Sequence, residues 1–118
     1  MEKKHKVKYF GAQGDVIFRK VKEIPNGFSA IPSTSIVIVA HSETGHHHSV
    51  DVAGVRLYVG PDPLVAYLQL ETVDSCDVVH HRTWDTHETL SLLGGKGSIW
   101  EIRRQREYTP EGWRRVQD

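Results

Sequence analysis

The chain has one cysteine among its 118 residues. A lone Cys76 cannot close an internal disulfide, which excludes a disulfide-stapled scaffold and makes a reducing compartment the expected setting. Its expected place is that of a small, semi-buried residue ahead of a strand. Long apolar runs are missing too. No uncharged stretch is long enough to span a bilayer, and the basic start of the sequence has no apolar signal-peptide core, so a cytoplasmic protein without membrane contact is expected. Net charge is also missing. Lys and Arg number 15, as do Asp and Glu, which removes any global field that would draw the protein to nucleic acid or membrane. Finally, there is no glycine-rich phosphate loop, no nucleophile elbow and no Cys–His nucleophile pattern. Neither an internal repeat nor a linker divides the chain, so residues 1–118 are expected to form a single domain.

The residues that are present favour β structure. The hydrophobic share is 38% and the charged share 25%, proportions of an ordinary folded domain. Short β-branched runs recur, each closed by turn residues. One covers 15–21, between a Gln13-Gly14 turn and the strong turn Pro25-Asn26-Gly27. The run 35–41 is the most apolar and is expected to be a central strand. Others cover 46–50, 55–59, 64–70, 77–81, 87–93 and 98–107. Over 87–93, Leu90 and Leu92 alternate with His87, Thr89 and Ser91. Thr109-Pro110-Glu111 reads as a helix start, predicting a helical turn over 110–117. The expected fold is therefore all-β: a small barrel or sandwich, of a kind that includes jelly-roll and cupin-like forms, with a short C-terminal helix.

Histidine supplies the chemistry. Eight are present, and seven of them lie between His41 and His87. In a strand, side chains alternate, so His46 and His48 share a face that His47 does not. A His-x-His pair with a third imidazole from a neighbouring strand makes a divalent-metal site. His46, His48 and His87 are the expected ligands, with His81 as a fourth. His80 and His81 are adjacent, so only one can join a given face, and the sequence leaves that choice open. Zinc is the expected metal, with iron, manganese or nickel as alternatives. Glu43, in the turn ahead of His46, is the candidate acid–base group. His5 and His47 are expected to face solvent or to bond backbone groups.

Two resemblances follow from these residues. His46-x-His48 with the later His87 resembles the metal-binding arrangement of cupins, which implies a β-barrel around a metal. The glutamate that cupins carry shortly after the pair has no counterpart at 49–52. More of the chain is similar to small bacterial and phage proteins of unassigned function: Gln13-Gly14-Asp15-Val16, Gly45-His46-x-His48, His87 with Leu90 and Leu92, and the Gln105-Arg106-Glu107-Tyr108 run. In that pattern a further histidine would fall at Trp84, so that ligand is either absent here or replaced by His80 or His81. The resemblance implies a family without implying an activity.

These features support a cytoplasmic, histidine-rich, metal-binding β-domain, and leave open whether it is a metal-dependent hydrolase or oxygenase acting on a small molecule. The alternative is a non-catalytic interaction or oligomerisation module of phage or mobile-element origin, with a homo-oligomer formed through a strand edge. Arg103, Arg104, Arg106, Arg114 and Arg115 mix with Tyr108 and Trp113 near the C-terminus. In a strand Arg104 and Arg106 fall on one face and Arg103 on the other, so the cluster is split and no specific nucleic-acid binding is expected.

Overall fold

Alternation along short strands builds two sheets that face each other across an apolar interior. The computed structural model describes residues 4–13, 16–31, 37–41, 47–50, 53–81, 89–104, 106–109 and 112–115. Along the chain the strands are β1 (Lys4–Val7), β2 (Phe10–Gln13), β3 (Val16–Val21), β4 (Ser29–Ala30), β5 (Val37–His41), β6 (His47–Val50) and β7 (Val55–Val59). They continue with β8 (Val65–Leu70), β9 (Ser75–His81), β10 (Thr89–Leu93), β11 (Ile99–Arg104), β12 (Arg106–Thr109) and β13 (Gly112–Arg115). Sheet A has the order β1-β10-β9-β6-β5 and sheet B the order β2-β3-β11-β8-β7-β4, while β12 and β13 form a separate antiparallel ribbon. The described part is all-β, in two sheets, as the strand-rich sequence predicts. Among the described residues, no helix is long and apolar enough to cross a membrane.

The inward residues follow the period of two. Val16 and Phe18 from β3, Val55 and Leu57 from β7, Leu90 and Leu92 from β10, and Trp100 and Ile102 from β11 all enter one buried cluster. Strand β8 departs from strict alternation: Val65, Ala66, Tyr67 and Leu68 are all buried. It lies between β11 and β7, so its neighbours cover both edges. Its outer side is closed by Phe28, whose ring meets that of Tyr67 edge-on at 4.8 Å and 83°. Gly54 opens the approach to β7 with φ +93°, a conformation that L side chains rarely adopt. Its carbonyl accepts hydrogen bonds from the amides of Glu71 and Thr72, and a Cβ placed there would collide with the Thr72 hydroxyl.

Two sequence expectations are corrected. The apolar run ending at His41 was expected at the centre of a sheet, yet β5 ends the order of sheet A, and its register shifts between Ile38 and Ala40. β-branched composition favours a strand without fixing which strands become its neighbours, and a bulge is a common device at an edge. Of the helical turn expected over 110–117, residues 112–115 instead form β13, which pairs Trp113 with Tyr108 and Gly112 with Thr109 of β12; 110, 111, 116 and 117 lie outside the described residues. Proline opens helices, but it is equally suited to the first corner of a turn.

On the outer side of sheet B, Arg19, Glu101 and Tyr67 stand opposite one another on β3, β11 and β8. Glu101 Oε1 receives Arg19 Nη2 and Arg103 Nε, each at 3.2 Å, and Tyr67 donates its hydroxyl to Oε2 at 3.1 Å. Burial on its own works to raise the Glu101 carboxyl, but the Tyr67 hydrogen bond and the two guanidiniums outweigh it and hold the group below its ordinary range. A depressed folded-state value means stability that is present above the unfolded carboxylate's range and lost as pH falls through the folded value. Thermal stability is therefore expected to drop on acidification below about pH 4.5. Glu101→Gln should show a shallower drop than the parent between about pH 5 and 3. Equal slopes in the two proteins would contradict the role given to this carboxylate.

Candidate histidine site

The candidate site begins with a polar pair that joins the two sheets. His48 alternates with the core residue Val50 along β6 and is 1% exposed, so it faces inward. Gln13, at the end of β2 in the opposite sheet, is buried with it. His48 Nδ1 lies 2.8 Å from Gln13 Oε1, and Gln13 Nε2 donates to the Val78 carbonyl of β9 at 3.0 Å. A buried amide or imidazole is costly unless hydrogen-bonded, and these bonds serve the Gln13 amide and the Nδ1 side of His48.

That chain also sets the histidine's proton. The Val78 carbonyl can only accept, so the Gln13 amide must turn its NH2 toward it and its oxygen toward His48. The Gln13 oxygen in turn can only accept, so Nδ1 carries the hydrogen. In the neutral ring the lone pair then resides on Nε2. Metal-binding histidines are commonly held this way, with an acceptor on one nitrogen orienting the ring and raising the basicity of the other. Thr89, at the start of β10, is also buried.

The strand register places the remaining histidines. Strand β6 pairs antiparallel with β9, so that His48 stands opposite His80 and His47 opposite His81. On the other side of β6, Ala40 stands opposite His48 and His41 opposite His47. Of the two adjacent histidines on β9, the one in the His48 row is therefore His80, while His81 belongs to the His47 row. His46, His87 and Glu43 lie outside the described residues. Among the residues whose side chains are described, which leaves out His41, His47, His80 and His81, no three histidine, cysteine or carboxylate side chains gather to hold a metal. Cys76 is buried, and its thiol is pushed up to about 12 by that burial, with the Asp77 charge adding to it. A thiol that stays protonated is neither a nucleophile nor a metal ligand at neutral pH.

Sequence reasoning gave Gln13 no site role, using it as a turn marker and as part of a resemblance. The signal was its place directly before a two-residue connection, in register with the inward Val16. The functional partner is 35 residues away, however, and nothing local points to it.

A family model described as a domain of unknown function, DUF8820, matches residues 12–105. The chain belongs to that family. The DUF8820 span begins inside β2, takes in Gln13 and all seven histidines from His41 to His87, and ends just past β11. Strand β1 and the ribbon of β12 and β13 lie beyond it. No curated protein and no solved structure matches the chain.

Proposed function

We propose that this DUF8820 domain is a cytoplasmic metal-binding β-domain in which His48 is the anchoring ligand. The observation that carries the proposal is the hydrogen bond from His48 Nδ1 to Gln13, which assigns the lone pair to Nε2 and fixes the ring between the sheets. His46 and His87 join it from the flanking segments, and one of His80 and His81 completes the set. The register favours His80, and His81 is the residue that the sequence pattern supplies. Neutral imidazoles suit zinc first, with iron, manganese and nickel as alternatives. With three such ligands and one open position, zinc would lower the pKa of a bound water and supply hydroxide for hydrolysis of a small molecule, with Glu43 as the acid–base group.

Protein purified without nickel resin is expected to carry at least about one metal ion per chain, the count that this site supplies. The His46→Ala, His48→Ala double variant should carry about one ion fewer per chain than the parent by elemental analysis. Metal that is substoichiometric in the parent and unchanged in the variant would refute the proposal.

A second reading rests on a different observation. Strand β2 ends the order of sheet B, Phe10 on it is 62% exposed, and the neighbouring Tyr9 is 70% exposed. Exposed aromatics on an edge strand suit docking against another protein edge, and a non-catalytic oligomerisation module of phage or mobile-element origin would use such a face. A stable metal-free dimer would favour this reading over the first. Neither reading calls for specific nucleic-acid recognition.

A further inference from the structure

The register of sheet A sorts five histidines into two neighbouring rows. One row contains Ala40, His48 and His80, and the next contains His41, His47 and His81. Residues directly opposite each other share a face of a sheet, and successive rows alternate between faces. The His48 row faces the interior, because His48 is buried and alternates with Val50 of the core. The His41–His47–His81 row therefore belongs to the outer face of the same sheet.

We propose that His41, His47 and His81 form a second cation site, for a late first-row divalent metal such as zinc, on the outer face of sheet A. The proposal stands apart from the His48 site when that site takes His80, which the register puts opposite His48, and leaves His81 to the other face.

Three features of the backbone support it. The row crosses three consecutive strands, β5, β6 and β9, with His47 in the middle. Neighbouring strands run about 4.8 Å apart, so each flanking Cα is within one imidazole length of the central strand. All three residues also sit at strand ends: His41 closes β5, His47 opens β6 and His81 closes β9. They therefore share one end of the described part of sheet A.

Donor chemistry selects the ligand. Imidazole nitrogens prefer zinc, nickel and copper, whereas calcium and magnesium require oxygen ligands. The sequence had assigned His47 to solvent and left His41 aside; only the pairing of distant strands brings them into line with His81.

The test is a zinc titration of the full chain, stripped with a chelator and followed by competition against a chromophoric zinc indicator. The parent is compared with His47→Ala, His48→Ala and the triple His41→Ala, His47→Ala, His81→Ala variant. One zinc-binding step should weaken by at least about tenfold in His47→Ala, a loss of the scale seen when even the outer partners of a ligand are removed. That step should vanish in the triple variant, persist in His48→Ala and be unaffected by excess calcium. His47→Gln, with circular dichroism as a check on folding, replaces His47→Ala should that variant fail to fold. A step unchanged in the triple variant overturns the outer site. All zinc lost in His48→Ala with none lost in His47→Ala overturns it as well and leaves the inner site standing. A parent chain that binds no zinc overturns both.

Discussion

Trp100→Ala is expected to destabilise the protein by about 3–5 kcal/mol, the range for truncating a large buried aromatic. Trp100 is fully buried on β11, the strand that joins β3 to β8 in sheet B, and it belongs to the same cluster as Phe18, Leu68 and Leu92. Its loss opens a cavity between the sheets that rigid neighbours on three strands cannot fill. Its indole Nε1 has no hydrogen-bond partner among the described residues, so part of the side chain's polar cost is already borne by the native state. Trp100→Phe should consequently cost much less than Trp100→Ala, because it keeps most of the apolar area and discards the unpartnered N–H. Urea denaturation of the two variants gives the comparison directly. Equal losses would mean that Trp100 acts through its indole nitrogen rather than by filling space.

Gln13→Leu should have the second-largest effect, and it acts on both stability and the site. Leucine roughly matches the size of glutamine but offers no acceptor to His48 Nδ1 and no donor to the Val78 carbonyl. Stranding a buried polar group costs about 1–3 kcal/mol, so the two losses together amount to at least about 2 kcal/mol. The same change removes the acceptor that keeps the hydrogen on Nδ1. Zinc affinity should fall by about ten- to hundredfold, the usual consequence of deleting an outer partner of a ligating histidine. The two readouts separate the roles: lost stability with unchanged zinc affinity would make the Gln13–His48 pair a structural tie and nothing more.

The fold class was legible in the sequence because the strands obey local rules. Leu90 and Leu92, Val55 and Leu57, and Val16 and Phe18 all alternate as a half-buried strand should, and each pair reaches the core. The inward face of His48 was equally legible, being two residues from Val50. The sequence did not reveal what depends on pairing at a distance. The placement of β5 at an edge, the choice of His80 over His81 opposite His48, and the row of His41 with His47 and His81 are all properties of register between strands far apart in the chain. Local alternation says which residues share a face within one strand. It cannot say which residue of another strand comes to stand beside them. The C-terminal ribbon illustrates a different limit: Thr109-Pro110-Glu111 satisfies the rules for a helix start and for a turn alike, and the pairing of Tyr108 with Trp113 decides between them.

The account depends most on the state of one imidazole. A long-range proton–nitrogen spectrum of histidine-labelled protein, recorded before and after one equivalent of zinc, examines it directly. The His48 ring is predicted to carry its hydrogen on Nδ1 in the metal-free protein, with Nε2 as the unprotonated nitrogen that shifts when zinc is added. An Nε2–H tautomer, or an Nε2 resonance that zinc leaves unmoved, would contradict the metal-binding role proposed for this histidine.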